Sequence, residues 1–308
     1  MKVVLTGGTG FIGDHVSQHL AHQEYEIVAL TRRAGQSSPH GLSLRFVQWD
    51  AESLGSWAQE LDGADAIIHL AGEGIFDSRW THDVKHRISQ SRIRTTQLLV
   101  QAIAQAKRPP ALFISASAVG YYGHRNDELT DESSPAGTDF LADVCVRWEA
   151  EAAHARQYGV RVVHPRLGVV LGKNGGALAR LIPLVQGFLG TPLGSGKQWF
   201  PWIHIHDAVR GIVYPLEDAH IEGAYNLASP NPVRMDDLYL SLGKVLHRPV
   251  WTGLHVPEFA LRFVLGEAAD SLLHGQRIVP RVLLEAHFSF HYPELDHALE
   301  QIIHTTNT

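Results

Sequence analysis

Apolar and polar positions alternate in blocks through the first half of the chain, and each block reads as a strand or a helix. Val3, Val4 and Leu5 form a short apolar run ending at Thr6, followed by the turn-prone segment Gly7-Gly8-Thr9-Gly10-Phe11-Ile12-Gly13. Beyond it Ile12, Val16 and Leu20 recur at the spacing of one helix face. Residues 26–30, 44–50, 64–72, 111–117 and 160–163 predict five further strands. The fourth strand of the chain runs into a turn of small residues, and the fifth carries hydroxyls at its C-terminal end. A long helix is expected over 84–107, and another, with Trp148 and Ala152, leads to the sixth strand. Such alternation implies right-handed crossovers and an α/β fold: a doubly wound parallel sheet of Rossmann type, covered by helices on both faces. Ligands then bind beyond the C-terminal ends of the strands.

The first turn has a definite chemistry. Gly7 and Gly10 let the backbone turn sharply and approach a pyrophosphate, and Gly13 lets the helix pack closely on the strand. Free N–H groups at the helix start, through Phe11 and Ile12, then face the phosphates. This is a dinucleotide-binding fingerprint in a strand–turn–helix setting. At the end of the second strand stand Thr31, Arg32 and Arg33. Here an NAD enzyme places an acid for the ribose 2′-hydroxyl and an NADP enzyme an arginine for the 2′-phosphate. Two arginines and no acid point to NADP(H); the alternative is a solvated basic loop. Asp50 either meets the adenine or caps the next helix. The turn Leu70-Ala71-Gly72-Glu73 lets backbone approach the cofactor, with Arg79 adding a contact; alternatively Glu73 and Arg79 are an exposed ion pair.

From Gly172 onward the pattern changes. Gly175-Gly176 precede an apolar helical pattern through Leu178, Leu181, Leu184 and Phe188. Residues 190–198 are expected to form a connecting hairpin: the glycine spacing is wrong for a phosphate loop, and Gln198 stands where Ser or Thr would bind magnesium. Ser229-Pro230-Asn231-Pro232 marks a boundary. The expected domains are therefore 1–228, an NADP-binding domain in which 172–200 contributes to the substrate cleft, and 229–308, a C-terminal lobe. That lobe is helical and apolar, through Leu238, Leu242, Val245 and Leu246 and then Phe259, Leu261, Phe263, Val264 and Leu265. It closes the cleft or forms a subunit contact, as in a homodimer.

Composition narrows this further. The 308 residues suffice for a full α/β core and a smaller lobe. A formal net charge of −6 points to neither a nucleic-acid nor a membrane-surface partner. The one cysteine, Cys145, rules out a disulfide within the chain and fits a reducing compartment. With no signal-peptide pattern and no apolar stretch of membrane-spanning length, a cytoplasmic protein is expected. Twenty histidines invite a metal reading, but His204 and His206 are two apart and no HExxH pair is present, so no metal is expected.

Four motifs carry a resemblance: Thr-Gly-Gly-Thr-Gly-Phe-Ile-Gly at 6–13, His-Leu-Ala-Gly at 69–72, Ser-Ala-Ser-Ala-Val-Gly-Tyr-Tyr-Gly at 115–123 and Trp-Ile-His-Ile-His-Asp at 202–207. They resemble the extended short-chain dehydrogenase/reductase superfamily, the NAD(P)-dependent epimerase/dehydratase group. Residues 140–149, 165–172 and 194–204 are similar to an atypical branch, called only "epimerase family protein", that carries a distinctive C-terminal domain. The resemblance implies a Ser, a Tyr and a Lys four residues later: the lysine lowers the tyrosine pKa and holds the cofactor ribose, while the serine positions the substrate oxygen. Ser117 matches the serine. No tyrosine here has lysine four residues on; Tyr121 is followed by Arg125 and Tyr122 by Asn126, and at the family's position for the pair stand Leu141 and Cys145. Tyr121 or Tyr122 remains to supply the phenol, or both only line the pocket. A phenol without lysine stays near the reference value of ~10 and is a better acid than base. The resemblance also implies that Val169 meets the nicotinamide carboxamide through its backbone. The expected function is an NADP(H)-dependent oxidoreductase on a small carbonyl or alcohol, with Ser117 and Tyr121 polarising the oxygen. The alternatives are an NADPH-binding regulator without catalysis and a nucleotide-sugar epimerase with a substitute base.

One position in the long helix breaks its pattern. Ile88, Arg92, Thr96, Leu99 and Ile103 form one stripe, so Arg92 lies on the face turned to the sheet. A buried guanidinium needs an acid or polar backbone groups. Arg92 is therefore expected to brace the Gly72-Glu73 turn or the Ser117 loop, or else to reach out to water along its stem.

Overall fold

The computed structural model describes residues 1–33 and 44–304. The strands are β1 (Lys2–Thr6), β2 (Glu26–Thr31), β3 (Leu44–Gln48), β4 (Ala66–His69), β5 (Leu112–Ser115), β6 (Ser117–Ala118), β7 (Leu129–Thr130), β8 (Arg161–Leu167), β9 (Val169–Gly172), β10 (Gly175–Gly176), β11 (Trp199–Phe200), β12 (Trp202–His204), β13 (Gly223–Leu227), β14 (Val233–Arg234) and β15 (Arg277–Ile278). The helices are α1 (Phe11–His22), α2 (His82–Gln105), α3 (Phe140–Ala153), α4 (Leu178–Gln186), α5 (Ile205–Glu217), α6 (Met235–Leu246), α7 (Glu258–Leu265), α8 (Asp270–Leu273), α9 (Arg281–Glu285) and α10 (Leu295–His304).

Eight strands form one parallel sheet ordered β13-β8-β5-β4-β1-β2-β3, with β6 continuing alongside β8. This is the doubly wound Rossmann-type architecture. The strands that supply it are apolar almost throughout, because helices cover both faces. On one face Val16 and Leu20 of α1 pack with Ala208, Val209 and Ile212 of α5 against Val3, Leu5, Ile68 and Ile114. On the other, Leu98, Leu99 and Ile103 of α2 cover Val4, Val28, Ile67 and Phe113. Register aligns Thr6 with His69 and His69 with Ser115, so the ends of β1, β4 and β5 open on one crevice.

A third core joins Leu171, Leu178 and Trp202 to Leu238, Tyr239 and Leu242 of α6 and Leu299 and Ile302 of α10. It draws on chain from both sides of residue 228. The strand expected at 160–163 continues to Leu167, because β13 and β6 both pair with its second half. The segment 190–198 is not a hairpin. Its backbone pairs with the later segment instead: Trp251 N–H donates to the Gly190 carbonyl (2.9 Å), Val256 N–H to that of Pro192 (2.9 Å), and Gly194 N–H to that of Val256 (3.0 Å). The apolar pattern of α7 is only partly absorbed: Leu261 is buried, whereas Phe259, Phe263 and Val264 are 76 %, 80 % and 66 % exposed.

The C-terminal segment crosses the front of the sheet at close quarters. A Cβ built on Gly275 would run into the Trp199 carbonyl oxygen, whereas one on Gly253 would meet nothing within 4 Å. Gly275→Ala is expected to lose about 1–3 kcal/mol of unfolding free energy in urea titration, through overpacking, and Gly253→Ala to stay within about 0.5 kcal/mol of the parent.

Candidate functional site

The crevice begins at the first turn. Gly7 has φ +73°, and a Cβ there would lie 2.7 Å from the Leu70 carbonyl carbon and 2.8 Å from the Ala71 nitrogen. A Cβ on Gly13 would strike the Gly7 carbonyl oxygen, which accepts instead from Gly10 N–H (2.9 Å). Glycine is thus required where the loop, α1 and the end of β4 converge. Gly10, the N-cap of α1, brings no capping side chain, so the first-turn N–H groups of Phe11, Ile12 and Gly13 face the crevice with room for an anion. Phe11 itself packs beneath the β9–β10 turn; a Cβ on Gly172 or Gly175 would collide with its ring. Ile12 joins the core below. At the end of β2 Thr31 is buried and accepts from Arg33 N–H (3.3 Å), and Arg32 and Arg33 are exposed. These residues fit a dinucleotide bearing a 2′-phosphate.

Asp50 stands in the turn that leaves β3. Its carboxylate accepts from Glu52 N–H (2.9 Å), Ser53 N–H (3.1 Å) and the Ser53 hydroxyl (2.6 Å), and these bonds, the Ser53 hydroxyl foremost, lower its pKa. It shapes a turn rather than starting the helical segment Ser56–Leu61. Leu70 and Ala71 follow β4 against Gly7, and Gly72 stands against the Arg92 guanidinium. Glu73 is ion-paired with Arg87 (2.9 Å), not with Arg79, and its N–H donates to the Ser91 hydroxyl (3.0 Å). Arg79 is exposed and lies against Gly266 of the C-terminal lobe. The Val169 N–H is taken by the Pro201 carbonyl oxygen (2.7 Å), which commits its amide donor inside the protein.

Behind the crevice His69 is fully buried. Its Nδ1 bonds the Thr6 hydroxyl (2.6 Å) and its Nε2 the Thr95 hydroxyl (3.3 Å), while Ala71 N–H donates to Thr6 Oγ1 (3.3 Å). Burial, with the nearby Arg92 charge, lowers the His69 pKa to about 3, so the ring is neutral. Arg92 comes from α2 into the same region. It donates to the Ile88 carbonyl (3.1 Å) and the Ser91 hydroxyl (3.4 Å), and its guanidinium stands against Gly72. It therefore braces the Gly72-Glu73 turn, through Ser91 and by contact.

A second cluster hangs from β8. Arg166 grips Glu149 of α3 with two nitrogens (2.8 Å each), and the Ser117 hydroxyl donates to the same carboxylate (2.6 Å). Arg166 also donates to the Tyr122 hydroxyl (2.9 Å), which donates in turn to Asn226 Oδ1 (2.7 Å). Tyr122 is enclosed, and burial pushes its pKa up to about 12. Tyr121 is half-buried; its ring lies 3.4 Å from the Arg166 guanidinium carbon, and its hydroxyl has no partner among the described residues. Of the two phenols, Tyr122 is built into the network and Tyr121 is free to act. Leu141 packs against Gly120. Cys145 is buried, and desolvation first, then Glu149, pushes its pKa up to about 11, so its thiol is neutral. It supplies no charge.

The C-terminal segment closes this region. Gln276 donates to the Gly123 carbonyl (2.6 Å), Ile278 of β15 packs behind Tyr122, and Lys85 at the start of α2 pairs with Glu267. A cavity of about 570 Å³ opens beside the tyrosine turn, lined by His124, Asp127, Lys197, Trp199, Arg234 and His274. Gly194, Ser195 and Gln198 stand on the same wall. Sequence reasoning missed Glu149, Arg166 and Asn226, although the polar residues inside the apolar segments 140–149 and 165–172 were a usable signal. The histidine-rich stretch brings His206, Asp207 and His291 together, with ligand atoms within 4.8 Å. Asp207 already accepts from His291 N–H (2.9 Å) and Tyr292 N–H (2.8 Å) and has Arg210 at 3.6 Å, so it anchors the chain after α9.

Comparison with known proteins identifies the scaffold. The family model described as "NAD dependent epimerase/dehydratase family" matches residues 3–228. The chain belongs to that family. A second model, a domain of unknown function (DUF1731), matches residues 256–302 of this epimerase-family protein, the segment that closes the site. It is 42 % identical over 305 residues to an "Epimerase family protein SDR39U1 homolog, chloroplastic" of Arabidopsis thaliana, covering 98 % of this chain and 87 % of the relative. It is 38 % identical over 304 residues to "Epimerase family protein YfhF" of Bacillus subtilis, covering 98 % of each chain. Human epimerase family protein SDR39U1, solved with NADPH, superposes with a TM-score of 0.87 at 34 % identity, covering 98 % of this chain and 99 % of the human one.

Two measurements test the network of this epimerase-family protein. Arg166→Met strands the Glu149 carboxylate and is expected to cost about 3–5 kcal/mol in chemical unfolding, much of it recovered by adding Glu149→Leu. Burial also lowers the pKa of His164 and His204, each to about 4. With His69 they take up protons only on unfolding, so stability is full above about pH 6.5 and falls as the pH drops, by about 1.4 kcal/mol per unit for each group. The melting temperature is expected to fall steeply from pH 7 to pH 4.5, and to fall less in His69→Gln.

Proposed function

We propose that this protein is an NADP(H)-dependent oxidoreductase acting on a small carbonyl or alcohol. The observation that carries the reading is the pairing of an uncapped glycine cradle with two exposed arginines at the end of β2, on the same sheet as a free phenol that follows β6. The NADPH in the human relative supports the choice of cofactor. The α1 N–H groups hold the diphosphate, and Arg32 and Arg33 grip the 2′-phosphate by charge-assisted hydrogen bonds. NADPH, when bound, supplies a hydride. Tyr121 gives its phenolic proton to the substrate oxygen as the carbonyl carbon is reduced, and solvent returns that proton. Ser117, whose own proton points to Glu149, offers lone pairs that accept from a substrate hydroxyl. The cavity beside the tyrosine turn receives the substrate, and the C-terminal segment keeps water from it.

A second reading is a cofactor-binding regulator without turnover. It is favoured by the neutral Leu141 and Cys145 at the positions where the family places its tyrosine and lysine. Purified protein with NADPH and a panel of small aldehydes and ketones separates the two. Carbonyl-dependent loss of reduced cofactor, abolished in Tyr121→Phe, supports the first reading. Tight binding with no turnover supports the second, and interconversion of UDP-sugars without net redox change supports an epimerase.

NADPH is expected to bind at least about tenfold more tightly than NADH, or about 1.4 kcal/mol. Fluorescence titration checks this, and Arg32→Ala with Arg33→Ala is expected to erase the preference. Equal affinities in the parent protein overturn the NADP(H) assignment.

A further inference from the structure

Arg92 of α2 carries a charge that no bonded carboxylate answers. Arg92 Nη1 donates to the Ile88 carbonyl and the Ser91 hydroxyl, but Nε and Nη2 have no partner, and no carboxylate lies within ion-pair distance among the described residues. These two nitrogens are not sealed in either, because the side chain remains partly exposed. The groups around it are the neutral His69 ring, the neutral Cys145 thiol and the Trp148 ring 5.4 Å from the guanidinium carbon, and the one carboxylate whose charge acts on it, Glu73, does so without a bond and is itself paired with Arg87. A cation with no bonded carboxylate and two donors unused is poised for an anionic or oxygen-rich ligand.

The direction in which those donors open is set by a glycine. A Cβ on Gly72 would lie 3.1 Å from the Arg92 Cζ and 3.2 Å from Nη2. Glycine keeps that edge uncovered, at the turn that ends β4. Sheet order decides what lies above β4. With β1 between β2 and β4, a dinucleotide whose diphosphate rests on α1 lays its adenosine half toward β2 and β3, where Arg32 and Arg33 stand. Its nicotinamide half would then fall toward β4 and β5, the side on which Gly72 stands.

We propose that Arg92 holds the nicotinamide half of NADP(H), donating from Nε and Nη2 to the oxygens of its ribose-phosphate. The resemblance implies a lysine for this role in the helix that is α3 here, where this chain has the neutral Cys145, and the cation whose charge acts on that thiol is Arg92. Arg92 supplies the cation from the neighbouring helix α2 instead, so the charge has changed helices while the ligand group has not. The inference rests on the NADP(H) reading above.

The test is a binding experiment that needs no turnover. Parent protein, Arg92→Leu, Arg92→Gln and Arg92→Lys are titrated with NADPH, with reduced nicotinamide mononucleotide, and with adenosine 2′,5′-bisphosphate. Arg92→Leu and Arg92→Gln are expected to weaken NADPH by about 10- to 100-fold and to lose the mononucleotide, while the adenosine bisphosphate binds as before. Arg92→Lys is expected to recover part of the loss, as a displaced point charge would. Unchanged NADPH affinity in Arg92→Gln overturns the proposal. So does an equal loss for both half-ligands, which marks a collapsed turn rather than a lost contact. Should Arg92→Leu fail to fold, Arg92→Gln, which can keep the bonds to Ile88 and Ser91, decides alone. Failure of the cofactor reading looks different: the parent protein itself then binds neither NADPH nor the adenosine bisphosphate.

Discussion

The ion pair between Glu149 and Arg166 is the constraint on which the reactive end of the crevice depends. Both side chains are largely withdrawn from water, which is costly for each charge, and the two-nitrogen grip offsets that cost only while it is complete. The remaining bonding capacity is spent on the site: Glu149 accepts a hydrogen bond from the Ser117 hydroxyl, and Arg166 donates to the Tyr122 hydroxyl and lies on the face of the Tyr121 ring. Helix α3, strand β8, strand β6 and the tyrosine turn are thereby locked in one arrangement. Tyr122 carries the lock onward to Asn226, whose amide donates to the Val279 carbonyl (3.0 Å) and so reaches the C-terminal segment. A pocket of this kind is preorganised by electrostatics rather than by apolar packing alone.

Close backbone approach does at the cofactor end what charge does here. Gly7 and Gly13 bring the loop, α1 and β4 nearer than any side chain would permit. The same device recurs where Gly172 and Gly175 settle on Phe11, and where Gly72 leaves the Arg92 guanidinium uncovered. Each of these glycines removes one methylene's worth of bulk at a point where three segments meet.

The segment matched by the domain of unknown function is a working wall of the site. It contributes a strand partner for β7, packing behind Tyr122, and an ion pair to the start of α2. Its helix α7 turns Phe259, Phe263 and Val264 outward, an apolar surface that a lone lobe has no packing reason to keep exposed.

Local pattern determined the sheet, its handed connections, the glycine cradle and the two arginines of β2. These depend on backbone conformation and on residue spacing within one strand–turn–helix unit, which sequence displays directly. The stripe that turned Arg92 inward was legible for the same reason, since helical periodicity alone places a side chain on a face. Only the tertiary structure decided that Tyr122 is locked and Tyr121 free, that the Ser117 hydroxyl donates to Glu149, and that Glu73 pairs with Arg87 rather than Arg79. It alone showed that Asp50 shapes a turn and that 190–198 pairs with 251–256. The Ser117, Tyr122 and Glu73 outcomes follow from contacts between residues 32, 104 and 14 apart, whose partners are chosen by packing in three dimensions, and no local pattern carries that choice.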